Sequence, residues 1–317
     1  MQSDLKNYRI LFFGTPSFAL PFLHELVQHG NIIGVVTAPD QPVGRKQILT
    51  PSPIKLTALQ HGISVYEPVT LKNGAFLETV QSLQPDVCIV VAYGKIIPQS
   101  YLALPPHGFI NVHPSLLPKY RGPTPIQSAV LAGETETGVT LMQLDAEVDH
   151  GALIASQRYT AESQKHYLEI AQELAEMGTT LLIKTLREYL TGTITPQPQD
   201  HTQATFTKIF KREDAKIDWS QTAEHIHNQI RALNPEPGTW TVWRGKILNI
   251  RKGHPLPLCV SENKNPGILE VIGRDITVHT KDCPFVLEEI QIEGGRPTAI
   301  RDFVNGHPNF IDSRFEN

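Results

Sequence analysis

Short apolar runs alternate with helical patterns through the first half of this 317-residue chain. The run Arg9-Ile-Leu-Phe-Phe13 stops at Gly14, and the segment that follows it has apolar residues at helical spacing. Strands that alternate with helices form parallel sheets with a helical layer on each face. The pattern therefore predicts an α/β fold with a doubly wound, mostly parallel, Rossmann-like sheet. The further predicted strands are 32–37, 87–92, 109–113 and 138–144, and the further predicted helices are 53–60, 75–83 and 123–131.

The second half of the chain changes character after a long amphipathic pattern that covers 162–189 and ends at Gly192. Residues 193–207 are rich in Thr, Gln and Pro and lack periodicity, so they predict an extended linker. Beyond them, a helical pattern over 222–233 and several short alternating runs predict a small antiparallel, OB-like β-barrel. Two domains also suit the length of the chain. The predicted boundaries are 1–192 for the α/β domain, 193–207 for the linker and 208–317 for the barrel.

Two polar side chains lie at the end of the predicted strand 109–113. Asn111 and His113 are two positions apart, and residues i and i+2 of a strand project from the same face. Ligands of open α/β sheets bind beyond the carboxyl ends of the strands, so both side chains should face a ligand crevice. An amide and an imidazole aimed at one point suit an oxygen that develops negative charge. Farther along the chain, Asp149 is placed to return and orient or charge the imidazole.

Several function classes are disfavoured by what the chain lacks. The first turn, Phe13-Gly-Thr-Pro-Ser-Phe-Ala19, contains one glycine, whereas a dinucleotide-binding turn needs several, so an NAD-linked dehydrogenase is not expected. No glycine loop is followed by Lys and Ser/Thr, so nothing signals ATP. The three cysteines lie far apart in no metal-ligand spacing, and we expect no metal site. Without an apolar stretch of roughly 20 residues or a signal-like start, a cytoplasmic location is expected.

Six short motifs, in order along the chain, resemble those of the formyltransferases that use 10-formyltetrahydrofolate. They are Phe13-Gly-Thr-Pro, Pro39-Asp-Gln-Pro-Val-Gly-Arg-Lys, Val91-Ala-Tyr-Gly, Asn111-Val-His-Pro-Ser-Leu-Leu-Pro, Arg121-Gly-Pro and Asp149-His-Gly. The region that begins near Lys216-Ile-Asp-Trp219 and passes through Arg231-Ala-Leu-Asn-Pro235 resembles the methionyl-tRNA branch of that family. The resemblance covers essentially the whole chain.

The resemblance implies a reaction and a set of residue roles. It implies that the formyl group passes from 10-formyltetrahydrofolate to the α-amino group of methionine on initiator tRNA, which gives N-formylmethionyl-tRNA for translation initiation. It implies Asn111, His113 and Asp149 as catalytic residues, with Asp149 either a base or the orienter of His113. The implied folate contacts are Ser115, Leu116, Leu117 and Pro118 on one side and Val91, Ala92, Tyr93 and Gly94 on the other. The implied tRNA contacts are the basic residues Arg45, Lys46, Lys119 and Arg121.

Two other functions stay open at this point. A formyltransferase that acts on a nucleotide-linked amino sugar would share Asn111, His113 and Asp149, but it has no use for the basic pair Arg45-Lys46 or for a barrel behind a linker. A noncatalytic RNA-binding protein would need none of the three polar residues. For the main function we expect the folate and methionyl-initiator tRNA as partners, no metal, no membrane partner, and a monomer.

Overall fold

The computed structural model describes residues 4–44, 46–257 and 265–316. The chain divides into two compact units. The first comprises Met1–Pro125, Glu136–Thr160 and Ile170–Thr207, and the second comprises Ile126–Thr135, Ala161–Glu169 and Lys208–Asn317. Among the described residues, no helix combines the length and the apolar character that crossing a membrane requires.

A seven-stranded sheet forms the centre of the first unit. The strands of this unit are β1 (Arg9–Gly14), β2 (Asn31–Val36), β3 (Gln41–Val43), β4 (Ile48–Thr50), β5 (Val65–Tyr66), β6 (Val87–Val91), β7 (Phe109–His113), β8 (Glu136–Gln143) and β9 (Leu153–Thr160). The order in the sheet is β5-β2-β1-β6-β7-β8-β9, while β3 and β4 form a separate hairpin. The strands from β5 to β7 are parallel, and β8 and β9 continue the sheet in antiparallel pairs. The predicted, mostly parallel sheet is therefore confirmed.

Within the described residues, six α-helices lie between or after these strands in the sequence. They are α1 (Leu20–His29), α2 (Pro53–Gln60), α3 (Leu77–Leu83), α4 (Gln99–Leu102), α5 (Pro125–Leu131) and α6 (Tyr167–Leu190). Helix α2 begins at its predicted residue because the Ser52 hydroxyl accepts a hydrogen bond from the Lys55 backbone N–H at 3.0 Å and proline occupies the first turn. Helix α6 buries a stripe that includes Ile170, Leu174 and Leu182, as its amphipathic pattern predicted.

Close packing fixes the strand ends at the middle of the sheet. All five residues of β6 are buried, as expected for a central parallel strand that is covered on both faces. Gly14, at the end of β1, has no room for a side chain, because a Cβ there would lie 2.7 Å from the Phe12 ring and 3.2 Å from the Val91 carbonyl oxygen. The carboxyl ends of β1 and β6 therefore stay in close contact.

The second unit contains a curled antiparallel half-barrel. Its elements are α7 (Ala223–Leu233), β10 (Trp240–Trp243), β11 (Lys246–Pro255), β12 (Leu269–Ile272), β13 (Asp275–Val278), β14 (Phe285–Ile292), β15 (Thr298–Ala299) and α8 (Ile300–Gly306). The sheet order is β10-β11-β14-β13-β12, with β15 paired to β14. The register of β11 against β14 shifts between Ile250 and Gly253, and such bulges bend a strand. At the core, the buried Trp219 donates its indole N–H to Thr241 Oγ1 at 3.1 Å. The predicted small antiparallel barrel fold is confirmed.

Residues 193–207, predicted as an extended linker, are grouped with the first unit. Their backbone is largely extended, with one turn of 3-10 helix at His201–Gln203. Gln197 exchanges two backbone hydrogen bonds with Leu153, at 2.7 and 2.8 Å. These residues are therefore anchored to the first unit by specific hydrogen bonds.

Candidate active site

Strand β7 delivers Asn111 and His113 to the carboxyl edge of the parallel strands. Asn111 is level with Val90 of β6 and with Met142 of β8, so pairing on both sides fixes its height in the sheet. His113 is the last residue of the strand and is only 4% exposed, whereas Asn111 is half-buried. Both side chains line the same cavity, as the two-residue spacing predicted.

Asp149 returns to this pair from the loop that follows β8. Its Oδ1 accepts a hydrogen bond from the Asn111 side-chain amide at 3.2 Å. Its Oδ2 lies 3.5 Å from His113 Nδ1 and accepts a hydrogen bond from the Gly122 backbone N–H at 2.8 Å. The three predicted catalytic residues therefore meet around one carboxylate.

The His113 ring is held at its other nitrogen by a backbone carbonyl. His113 Nε2 lies 2.9 Å from the Tyr120 carbonyl oxygen, and because a carbonyl can only accept, Nε2 carries a proton. Tyr120 has a φ of +61°, in the left-handed region. Nδ1 is then the nitrogen that faces Asp149. A neutral ring offers a lone pair there, and a charged ring offers a second N–H to the carboxylate.

Asp149 itself has a left-handed backbone, with a φ of +48°. A non-glycine residue in this region costs free energy, about 1 kcal/mol, and persists only where its surroundings fix it. Two residues later, Gly151 has no room for a side chain, since a Cβ would lie 2.0 Å from the Gln143 carbonyl oxygen. The motif Asp149-His-Gly therefore combines a strained carboxylate residue with an obligatory glycine.

A cavity of about 580 Å³ opens in front of these residues. A volume in this range suits a small organic ligand. The apolar part of its wall includes Val90, Ile96 and Ile97. The rest of the lining includes Pro16, Ala92, Tyr93, Gly94, Lys95, Pro114, Gly122, Pro123, Pro125 and the loop residues Leu144, Asp145, Ala146, Glu147 and Val148.

The predicted folate contacts divide into two groups. Ala92, Tyr93 and Gly94 line the cavity, on a turn where Ala92 and Gly94 have positive φ. Of the described residues, Val91 and Ser115–Pro118 do not line it. Val91 is buried in β6, and the buried Ser115 hydroxyl donates to the Lys119 carbonyl oxygen at 2.6 Å.

Burial shifts the pKa values of two side chains in the cavity wall. Burial raises the pKa of Tyr93 to about 12, with a smaller contribution from Tyr101, so its hydroxyl stays protonated at neutral pH. Burial lowers the pKa of Lys95, whose ammonium donates to the carbonyl oxygens of Pro68 and Val69 at 2.6 and 3.0 Å. The protonated Tyr93 hydroxyl is therefore not suited to accept a proton at neutral pH, and the two carbonyl oxygens hold the Lys95 side chain in place.

The four predicted tRNA contacts are placed differently. Lys46 is exposed on the turn between β3 and β4, and Arg45 lies outside the described residues. Lys119 is also exposed. Arg121, by contrast, is 4% exposed, and its guanidinium donates two hydrogen bonds to Gln199 Oε1, at 2.7 and 3.2 Å.

Sequence reasoning missed Gln199, which touches the site from residues predicted as a linker. Its side-chain amide donates to the carbonyl oxygens of Asp149 and Gly151 at 2.9 and 2.8 Å. A glutamine outside any motif or periodic pattern gives no signal in a single sequence. Within the described part of the chain, no group of three or more His, Cys, Asp or Glu residues is arranged to hold a metal ion.

Most of the chain is similar in sequence to known formyl transferases. Residues 8–186 match the family described as formyl transferase, and residues 209–308 match the family described as formyl transferase, C-terminal domain. The methionyl-tRNA formyltransferase of Chloroflexus aggregans is 45% identical over 296 residues, which cover 92% of this chain and 94% of that protein.

Solved structures show the same fold at lower identity. HypX from Aquifex aeolicus, in complex with tetrahydrofolic acid, superposes with a TM-score of 0.65 at 17% identity and covers 96% of this chain and 48% of its own. The N-formyltransferase from Helicobacter canadensis, in complex with folinic acid and dTDP-3-aminofucose, gives a TM-score of 0.65 at 20% identity, with 88% and 98% covered. Both family matches and the 45% identity show that the chain belongs to the formyl transferase family, among the methionyl-tRNA formyltransferases.

Proposed function

We propose that the chain transfers the formyl group of 10-formyltetrahydrofolate to the α-amino group of methionine on initiator tRNA. The observation that carries the proposal is the meeting of Asn111, His113 and Asp149 in one cavity, in a chain 45% identical to a methionyl-tRNA formyltransferase. The reaction forms a bond from the methionine nitrogen to the formyl carbon and breaks the bond from that carbon to N10 of the folate. One proton leaves the amine and one is gained by N10.

The tetrahedral species is the state that the site has to stabilise. Its oxygen carries new negative charge, and preorganised donors at such an oxygen are commonly the largest catalytic contribution. A primary amide has two N–H donors, so Asn111 can bond Asp149 with one and the formyl oxygen with the other. His113, when charged, adds a donor and a positive charge at Nδ1.

Asp149 has two roles that the geometry supports. Its carboxylate lies beside His113 Nδ1, where it can orient the ring, and it also lies in the cavity, where it can accept the proton of the attacking amine. Its hydrogen bonds from Asn111 and Gly122 hold it in the orientation needed for either role.

The cavity suits a folate co-substrate. A pterin is flat and largely apolar on its faces, and the walls here include Ile96, Ile97 and Val90. Solved members of the fold are complexes with tetrahydrofolic acid and with folinic acid, which supports a folate for this chain. We propose that Ala92–Gly94 contact the pterin edge and that His113 and Pro114 lie near the formyl group; contacts from Ser115–Pro118 stay a prediction.

For the tRNA we propose two separate contact regions, the hairpin β3–β4 and the second domain. Lys46 is exposed on the hairpin turn. Lys119 is also exposed and lies in the loop between β7 and α5. Residues 208–317 are proposed as the tRNA-binding domain, and 193–207 as the connection to the catalytic domain 1–192. A monomer working in the cytoplasm, where initiator tRNA is used, completes the proposal.

The deciding experiment offers the wild-type protein formylfolate with one of two acceptors. Mass spectrometry should show formyl addition to methionyl-tRNA and none to a dTDP-linked amino sugar. If only the sugar is formylated, the acceptor is an amino sugar and not methionyl-tRNA. The ligands of the Helicobacter canadensis protein suggest that alternative. Failure to formylate either acceptor, with tRNA still bound, would favour a noncatalytic RNA-binding protein.

Asn111→Ala should lower kcat by about two to three orders of magnitude, as the loss of one oxyanion donor does elsewhere. The Asn111→Ala variant also loses the hydrogen bond to Asp149. The Asn111→Asp variant has the same size as wild type but no amide donor, so it should be slow as well. The measurement is steady-state formyl transfer with both substrates varied. A kcat within about threefold of wild type would remove Asn111 from the reaction.

Arg45→Ala should weaken the use of aminoacylated tRNA in a salt-dependent way, because phosphate contacts release counterions on binding. The slope of log KM against log salt should fall by about one, while the KM for formylfolate stays unchanged. Lys72→Ala, at an exposed lysine on a different loop, is the matched control. Equal salt slopes for Arg45→Ala and wild type would count against the hairpin as a tRNA contact.

A further inference from the structure

The segment 197–207 is hydrogen bonded to both loops that build the candidate active site. On one side, Arg121 N–H donates to the Thr205 carbonyl and Thr207 N–H donates to the Arg121 carbonyl, each at 2.8 Å. On the other side, Gln197 pairs with Leu153, which follows the Asp149 loop. Between these two anchors lies Gln199, which is 6% exposed.

The Gln199 side chain uses both of its ends in this position. Its Oε1 accepts two hydrogen bonds from the Arg121 guanidinium, which can only donate, so the opposite end must be the NH₂ group. That group donates to the carbonyl oxygens of Asp149 and Gly151. The orientation of the amide is therefore fixed by its partners.

Arg121 is in turn fixed by two acceptors. Besides Gln199 Oε1, its Nη2 lies 2.9 Å from His201 Nδ1, which accepts because a guanidinium has no lone pair to offer. The His201 ring stacks on His150 at a centroid distance of 4.0 Å, and His150 Nδ1 bonds the Asp145 carboxylate at 2.6 Å. A continuous polar network thus connects the segment 197–207 to the loop that carries Asp149.

Asp149 is held at two points by different parts of the chain. Gly122 N–H fixes its carboxylate, while Gln199 fixes its backbone carbonyl. A left-handed φ of +48° makes the backbone of Asp149 unfavourable on its own, so the bond from Gln199 helps retain it. Rotation of this peptide would carry the carboxylate away from His113 Nδ1 and Asn111.

We propose that Gln199, oriented by Arg121, is a positioning residue that sets the place of the Asp149 carboxylate. The inference rests on the proposed function, because Asp149 matters only if formyl transfer occurs there. It also assigns the buried Arg121 to the support of the active site, a role that suits its burial better than a phosphate contact does.

Two variants separate positioning from a purely structural role. Gln199→Glu keeps an acceptor for Arg121 but replaces the two N–H donors with a carboxylate oxygen beside the Asp149 and Gly151 carbonyls. Gln199→Met has a similar size and carries neither the acceptor nor the donors. The matched control is Gln203→Ala, in the same segment, where the exposed side chain donates to Asp200 Oδ2 at 3.2 Å.

Both Gln199 variants should lower kcat by about 10- to 100-fold, because small displacements of a catalytic group have effects of that size. The KM for formylfolate and the affinity for tetrahydrofolate should stay within about threefold, as a folded cavity requires, while Gln203→Ala keeps the wild-type kcat. Gln199→Met should also lower the Tm, since it leaves Arg121 without its main acceptor.

A wild-type kcat for Gln199→Glu, with only Gln199→Met impaired, would overturn the inference, because satisfying Arg121 would then be the whole role of Gln199. Slow transfer by both variants with retained folate affinity supports it, since one variant adds a negative charge and the other adds none. If the wild-type protein formylates only the amino sugar, the proposed acceptor is wrong, and the same comparison of variants is made with that acceptor.

Discussion

His113→Ala should lower formyl transfer to methionyl-tRNA by at least about three orders of magnitude, with tetrahydrofolate affinity largely kept. The imidazole Nδ1 lies 3.5 Å from Asp149 Oδ2, and its Nε2 is fixed on the Tyr120 carbonyl oxygen. The mutant therefore loses the ring proposed to act at the formyl oxygen while the cavity walls stay in place. Single-turnover transfer and a separate folate titration measure the two quantities.

His24→Ala is the matched control, because this exposed histidine lies on α1 in the same unit. It should transfer at the wild-type rate. A nearly normal rate for His113→Ala would exclude the imidazole from the mechanism. Loss of folate affinity together with a lower Tm would instead show that the substitution disturbs the cavity.

Asp149→Asn should lower kcat by about two to four orders of magnitude, the usual range for a group that takes part in proton transfer. Asparagine is the sharpest replacement, because it tolerates the left-handed backbone that Asp149 adopts and keeps one of the two oxygens that accept from Asn111 and Gly122. It removes the negative charge and the other acceptor oxygen. Alanine would add backbone strain and confuse the result.

The double variant His113→Ala, Asp149→Asn tests whether the two side chains act as a unit. If they do, it should be about as slow as the slower single variant, because groups that act together are strongly non-additive. A multiplicative loss would mean that the two residues contribute to separate steps. An Asp149→Asn protein with kcat within about threefold of wild type would remove the carboxylate from the chemistry.

Buried, regular elements could be predicted from the sequence, whereas exposed or irregular ones could not. Strand β7 was predicted with its observed ends because apolar residues bury it and a proline follows it. Strand β9 was missed because it lies at the sheet edge with one buried residue, so it shows no period. The β3–β4 hairpin was missed for the same reason, since all six of its strand residues are exposed.

The candidate site could be predicted where a motif or strand spacing marked it. Asn111 and His113 meet because a strand of fixed period carries both, and the Asp149-His-Gly motif indicated the third member. Gln199 could not be found this way. It acts through single hydrogen bonds from an extended segment, and such bonds leave no pattern in composition or hydropathy.

Arg121 shows that a charged residue in the sequence does not by itself indicate an exposed binding residue. A cation beside a predicted ligand loop suggested a phosphate contact, but the sequence alone could not reveal that Gln199 and His201 cover its guanidinium. The exposure of Arg121 depends on His201, which lies 80 residues away in the sequence. Reading the residues near Arg121 could not have revealed this contact.

The carbonyl of Tyr120 makes the imidazole of His113 a one-sided group. A peptide oxygen takes up no proton near neutral pH, so the ring cannot relay a proton from one edge to the other. Every proton that His113 gains or gives must cross its Nδ1 edge, which is also where the carboxylate of Asp149 stands. An inhibitor that binds at this single edge would therefore block proton transfer by both His113 and Asp149.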